Sequence, residues 1–227
     1  MPGEAFEYNG GCTEVRSSVL SPFSTNVYVV DDGAGGAIVC DPADNADAIM
    51  EMVGDRTVSA IFVTHRHHDH IGALAELRER TGAPVYASSV DAPGIEDPHT
   101  EFGMDSRGCS VDVLLEDGES VEVGSTTWHV MATPGHTKGS CCFFLEPAKA
   151  PRSDGTPILL SGDTLFHGTI GRTDLEGGDM DDMRASLRKL GTLPDETVVF
   201  PGHNEPTTIK LERWRVIDFL GGGGQVI

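Results

Sequence analysis

Short apolar runs rich in β-branched residues recur along the chain, and most are cut off by a glycine, proline, aspartate or histidine. Runs at 15–20, 26–30 and 37–40, the last after the turn Gly33-Ala34-Gly35-Gly36, predict an opening β-meander closed by Asp41-Pro42. Residues 44–53 pair a capping candidate with apolar Ile49, Met50 and Val53 and a terminal Gly54, the pattern of a first helix. The run 58–63, Val-Ser-Ala-Ile-Phe-Val, predicts a buried strand, and it ends in Thr64-His65-Arg66-His67-His68-Asp69-His70. Beyond it, Ile71, Leu74 and Leu77 at helical spacing, a Glu76/Arg80 pair and Gly82 as C-cap predict a second helix.

Residues 84–87 predict a short strand. The polar, aperiodic stretch 88–108 predicts a long loop with a helical turn, a lid or a plain surface excursion. Strands are expected at 111–115, 120–123, 126–132 and 140–145, with turns at Asp117-Gly118 and Gly124-Ser125, then a polar loop over 146–156. The strand 157–160 runs into Ser161-Gly162-Asp163, and 179–190 reads as a capped helix with Met183, Leu187 and Leu190 on one face. The strand 197–200 runs into Pro201-Gly202-His203. A last helix is expected over 205–220, packing Trp214 and Phe219 against a sheet, before a flexible end at 221–224. Two halves of similar plan with no linker between them imply one domain over 1–227, two sheets packed face to face with helices outside.

Composition narrows the function. With 16 basic against 36 acidic residues the formal charge is −20, which argues against a nucleic-acid partner, since such proteins neutralise phosphates with Lys and Arg. Cys12, Cys40, Cys109, Cys141 and Cys142 are odd in number and lack C-x-x-C spacing, so no disulfide framework is expected. No basic-then-apolar leader opens the chain and no apolar stretch approaches the roughly 20 residues of a membrane helix. The expectation is a cytoplasmic enzyme or binding protein without membrane contact.

The chemistry sits where strands end. Four apolar runs terminate in potential metal ligands: His65/His67/Asp69/His70, His136 within Thr133-Pro134-Gly135-His136, Asp163 after Gly162, and His203 after Gly202. Imidazole and carboxylate are the donors that divalent metals take, and strand-end loops on a rigid scaffold are where sites form. One such histidine is ordinarily a satisfied core residue; a recurring pattern points to a metal site. His68, His99, His129 and His167 are expected to be polar or surface residues, with His167 lining the site because it follows Asp163-Thr164-Leu165-Phe166. Ser140, Cys141 and Cys142 are read as core, not as nucleophiles.

The motifs T-H-x-H-x-D-H at 64–70, T-P-G-H-T-x-G-S at 133–140, S-G-D-T-L-F at 161–166 and P-G-H at 201–203 resemble the signature of the metallo-β-lactamase superfamily. Gly168 to Leu175 followed by Gly177-Gly178-Asp179 is similar to its glyoxalase II-like (hydroxyacylglutathione hydrolase-like) branch, which also holds persulfide dioxygenases. The resemblance implies an α/β fold, a four-layer αββα sandwich of two mixed β-sheets with outer helices. It implies two divalent ions, zinc first, with iron or manganese as alternatives. His65, His67 and His136 would hold one, Asp69, His70 and His203 the other, and Asp163 would bridge them.

The mechanism this suggests is attack of a metal-bridging hydroxide on a thioester of a small acyl-thiol, with Asp69 and Asp163 as catalytic residues. Phe166, His167 and Arg172 are candidate substrate contacts, although an Arg172/Asp174 ion pair bracing the Asp163 loop is the stronger reading of that arginine. Residues 88–110 and 146–156 are expected to form the wall that selects the substrate. Only a short segment follows His203, leaving Arg213, Trp214 and Arg215 as candidates for an anionic thiol. Competing readings are a mononuclear iron persulfide dioxygenase, a lactonase or other ester hydrolase, and a metal-dependent binding or redox-partner module.

Overall fold

A computed structural model describes residues 6–8, 13–100, 103, 105–146 and 155–222 of the chain. Cys12 and most of the 146–156 loop lie outside the described residues. The opening runs form β1 (Phe6–Tyr8), β2 (Val15–Leu20), β3 (Thr25–Asp31) and β4 (Gly36–Cys40), an antiparallel meander. Three parallel strands extend it: β5 (Thr57–Phe62), β6 (Val85–Ser88) and β7 (Val113–Leu115), giving a mixed sheet of seven strands in sequence order.

The second sheet is also mixed. Antiparallel β8 (Ser120–Val123), β9 (Thr126–Ala132), β10 (Cys141–Leu145) and β11 (Ile158–Gly162) lead to a hairpin of β12 (Leu165–Phe166) and β13 (Thr169–Ile170). Beyond it β14 (Val198–Pro201) runs parallel to β11, and β15 (Thr207–Thr208) closes that edge. The helices are α1 (Ala46–Val53), α2 (His68–Ile71), α3 (Leu74–Thr81), α4 (Ala92–Glu96), α5 (Met180–Leu190), α6 (Ile209–Glu212) and α7 (Asp218–Gly221). Local signals set their ends: Asn45 caps α1 through Ala48 N, Asp179 caps α5 through the amides of Asp181 and Asp182, and Gly82 ends α3 in a left-handed conformation.

Three apolar layers follow from this order. Ile49, Val53, Leu74 and Leu77 pack one face of the first sheet against α1 and α3. Between the sheets, Phe62 stacks on Phe143 with centroids 4.3 Å apart and meets Trp128 edge-on at 5.7 Å. Met183, Leu187 and Leu190 cover the far face of the second sheet. Burying side chains of this size stabilises by about 1.5–3 kcal/mol each, so the sandwich holds its strand ends without help from the histidines. The expected αββα sandwich is the fold observed, and no helix among the described residues is long and apolar enough to cross a membrane.

Two expectations need correction. The final segment is not one helix: β15 and α6 precede a π-helical turn over Arg213–Ile217, and α7 follows. Val216 and Ile217 pack inward, whereas Trp214 and Phe219 are each 78% exposed and do not pack against the sheet. The π turn, with its wider i→i+5 hydrogen bonding, shifts the register by which a uniform helix would have turned those aromatics inward. His68, expected to be a polar or surface residue, is buried: its ring contacts Ser106 Oγ at 2.6 Å and the His99 carbonyl, tying α2 to the insertion after α4.

Candidate metal centre

Four strand ends converge on one rim of the sandwich. Strand β5 becomes fully buried toward Phe62 and delivers Thr64 to His70, the last two ligand candidates of which sit on the single turn of α2. Loop 133–140 brings His136, the end of β11 brings Asp163, and the end of β14 brings His203. Close approach depends on two glycines. A Cβ on Gly162, which has a φ of 47°, would lie 2.4 Å from Thr64 Oγ1, and one on Gly202 would lie 2.2 Å from Asp163 Oδ1 and 2.7 Å from His70 Cε1.

The seven expected ligand residues all come together. Ring nitrogens of His65, His67 and His136 lie within 4.8 Å of one another, as do the donor atoms of Asp69, His70 and His203 and those of His65, His70 and Asp163. His67 Nδ1 is 2.9 Å from His136 Nε2. Asp163 stands between the sets, Oδ1 3.3 Å from His70 Nε2 and Oδ2 3.4 Å from both His136 Nε2 and His203 Nε2.

Each ligand is held from behind. His136 Nδ1 donates to the Arg172 carbonyl at 2.7 Å, which turns Nε2 toward the cluster. Asp69 Oδ2 accepts from the Thr25 hydroxyl at 2.9 Å. Asp41 Oδ2 accepts from His70 Nδ1 at 3.0 Å and from the Thr64 hydroxyl at 2.7 Å, while Oδ1 accepts from Thr64 N at 2.8 Å. Asp41, which the sequence marks only as a strand stop, thus holds His70 and Thr64 from behind. The signal was present, because it ends an apolar run as Asp163 does.

Electrostatics separate the histidines. Burial, reinforced by neighbouring imidazoles, pushes His65 well below the ordinary range and His67 to about 3, so both are neutral with a lone pair free. Burial opposes charge on His203, but the carboxylates of Asp163 and Asp69 outweigh it and lift the ring to about 9. Burial likewise disfavours ionised Asp69 and Asp163, yet the facing His70 and His203 hold both carboxyls well below the usual range.

Of the buried atoms at the centre, His65 Nε2 has no hydrogen-bond partner, and His70 Nε2 and Asp163 Oδ1 have only each other, at 3.3 Å. An unmet buried polar atom costs about 1–3 kcal/mol, and divalent cations in the two ligand groups would satisfy these atoms. The imidazole and carboxylate donor set fits such an ion.

The cluster opens into a cleft of about 340 Å³ lined by Phe23, His67, Asp69, His136, Asp163, Arg172, Leu175 and His203. Of the candidate substrate contacts, Arg172 lines this cleft and forms a bidentate pair with Asp174 at 2.7 and 2.8 Å. Phe166 backs His203 edge-on at 5.7 Å. His167 instead turns to Glu205 at 2.7 Å and to Arg215 at 3.4 Å, outside the lining. Phe23, which the sequence does not mark, and Leu175, named only as the end of the 168–175 motif, form the apolar wall, and no described residue of 88–110 lines the cleft. Arg213 is committed to Asp195 and to the carbonyls of Gly191 and Leu193.

Known proteins give the arrangement a family. An uncharacterized protein, ML0493, of Mycobacterium leprae is 38% identical over 87% of this chain and 94% of its own length. A hydroxyacylglutathione hydrolase of Pseudomonas entomophila is 34% identical over 83% of this chain and 66% of its own length. Among solved structures, BLEG-1 B3 metallo-beta-lactamase superposes with a TM-score of 0.81 and 34% identity, covering 91% of this chain and 99% of that one. TTHA1623 in a di-iron-bound form gives 0.72 and 32%, covering 87% and 96%, and ETHE1 from Myxococcus xanthus gives 0.72 and 32%, covering 92% and 84%. Residues 20–203 match the family model, and this chain belongs to the metallo-beta-lactamase superfamily.

Proposed function

We propose that the chain is a dinuclear metal-dependent hydrolase of small-molecule thioesters, working as one domain in the cytoplasm. The observation that carries this is the position of Asp163 Oδ2, 3.4 Å from a nitrogen of each ligand group, His136 on one side and His203 on the other. On this reading His65, His67 and His136 hold one ion, Asp69, His70 and His203 the second, and Asp163 both. When bound, two divalent ions, zinc or alternatively iron or manganese, supply Lewis acidity and lower the pKa of coordinated water toward neutrality.

The chain's own groups supply the rest. Asp41 and the Arg172 carbonyl fix the rings of His70 and His136, so neither ligand set reorganises as charge develops. Thr25 holds Asp69 Oδ2 at the cleft, where the carboxylate would orient the attacking oxygen. Phe23 and Leu175 keep bulk water off the acyl carbon, and Arg172 stands at the rim to meet a polar part of the substrate. A covalent protein intermediate is not required. Cys142, close in sequence to His136, is fully buried, and burial pushes its thiol up to about 11. The likeness to a hydroxyacylglutathione hydrolase supports an acyl-thiol substrate.

A second reading rests on the first ligand group with Asp163, two or three histidines and one carboxylate, His136 Nε2 lying 3.4 Å from Asp163 Oδ2. They are buried and mutually close without the other group, as a mononuclear iron persulfide dioxygenase would need. Metal analysis, with a panel of thioesters, lactones and persulfides assayed with and without oxygen, separates the two. Two ions per chain and oxygen-independent thioester cleavage, lost in Asp163→Ala, are expected; one iron and oxygen uptake with a persulfide would replace the hydrolase reading.

A further inference from the structure

A second buried carboxylate stands behind the first three histidines, in the stretch 88–108 expected to be a long loop with a helical turn. Asp91 follows β6 and opens α4, and it is 3% exposed. Its Oδ2 accepts from Arg66 N at 3.1 Å and from the Thr137 hydroxyl at 2.7 Å, and its Oδ1 accepts from Gly139 N at 3.0 Å. Arg66 lies between His65 and His67, and Thr137 follows His136. One side chain therefore joins the two loops that carry the first ligand group, from outside the cluster and without touching a ring.

The T-x-G-S part of the loop at 137–140 is shaped to receive it. A Cβ on Gly139 would lie 2.4 Å from Asp91 Oδ1 and 2.5 Å from its Cγ, so only glycine admits the carboxylate. Ser140 Oγ accepts from Thr137 N at 3.0 Å and stands 2.8 Å from the Thr137 hydroxyl, which aims that hydroxyl at Asp91. Asparagine could not replace the carboxylate fully. Whichever way its amide is turned, the NH2 group faces one of the two backbone N–H donors, Arg66 N or Gly139 N.

We infer that Asp91 is a positioning residue, which sets the spacing of His65 and His67 relative to His136 and thereby the metal affinity of that group. This rests on the reading of those histidines as metal ligands. Asp32 provides a matched control. It too is buried, at 2% exposure, and it accepts from two backbone amides, Ala34 and Gly36 at 2.8 Å each, and from one hydroxyl, Ser59 at 2.6 Å, but none of these belongs to a ligand loop.

The full chain is stripped of metal, then titrated with Zn2+ in competition with a chromophoric chelator and, separately, with Co2+ followed by its visible spectrum. Melting of the metal-free protein is recorded in parallel. Asp91→Asn is expected to weaken Zn2+ binding roughly 10- to 100-fold and to shift the cobalt bands. Thr137→Val, which removes one of the three bonds, is expected to move both readouts the same way by less. Asp32→Asn is expected to lower the melting temperature while leaving affinity and spectrum as in the wild type. Wild-type affinity and spectrum in both Asp91→Asn and Thr137→Val would overturn the positioning role alone. If Asp91→Asn fails to fold, Thr137→Val decides by itself. Failure of the wild type to bind any ion would overturn the ligand reading as well.

Discussion

Asp41 Oδ2 lies 3.0 Å from His70 Nδ1 and also accepts the Thr64 hydroxyl, so one carboxylate fixes both the orientation and the tautomer of a ring that is wholly buried. His70 must donate from Nδ1, which leaves Nε2 as the atom facing Asp163. Losing Asp41 should therefore free the ring without removing a ligand. Asp41→Asn is expected to lower metal affinity and turnover about 10- to 100-fold. Asp41 has a φ of 51°, and Asp41→Gly suits that backbone while deleting the carboxylate. A comparable loss in the glycine variant would assign the effect to the carboxylate; metal binding by Asp41→Gly at the wild-type level would refute this account.

Gly202 carries a different constraint, one of space. A Cβ there would fall 2.2 Å from Asp163 Oδ1, which cannot withdraw without leaving His70 and His203. Gly202→Ala is expected to lower activity by about two orders of magnitude while costing about 1–3 kcal/mol of stability, the range for overpacking. Metal content and urea unfolding together check it. An active variant with full metal content would mean that the β14 end gives way instead.

The strand-end ligands were legible because the chemistry there is local: an apolar run, a small residue, then His or Asp, repeated along one chain. The residues that hold those ligands were not. Asp41 meets a ring 29 positions away, and Asp91 meets Thr137 at 46, so no period or neighbouring residue marks the contact. Thr25 is similarly silent, a hydroxyl beside a turn until β3 places it against Asp69. The apolar layers were readable from alternation and helical spacing. The C-terminal segment was not, because a π turn has no sequence period of its own, and Trp214 and Phe219 look like core residues in any uniform helix. The cleft wall was misplaced for a related reason: Phe23 is a lone aromatic in a tight β2–β3 turn, where composition alone suggests solvent.

The buried donor atoms of His65, His70 and Asp163, poorly satisfied within the chain, tie stability to metal content. A ligand present at about 100 times its Kd stabilises by about 2.7 kcal/mol, which for a chain of this size raises Tm by about 5–10 °C. Chelation followed by calorimetry is expected to show that fall, with recovery on adding Zn2+. Asp163→Ala, which keeps the three-histidine group but loses the shared carboxylate, should show a smaller rise on adding ion than the wild type. A chelated wild-type protein with an unchanged Tm would separate the cluster from folding stability.

Asp32 ties stability to pH at the opposite edge of the sandwich. Burial opposes its ionisation, but the Ser59 hydroxyl and the amides of Ala34 and Gly36 outweigh that and hold the carboxyl below its usual range. A folded-state pKa below the unfolded one means that the unfolded chain takes up a proton first as pH falls. The stabilisation is thus fully present above the ordinary carboxylate range and is lost as pH drops through the folded value. At neutral pH, Asp32→Asn is expected to cost about 1–3 kcal/mol, because the amide sets a donor against a donor. Measured by urea unfolding from about pH 7 down to about pH 3, the gap between variant and wild type should narrow with acid. A gap that stays constant across that window would place the effect in packing and not in the charge of Asp32.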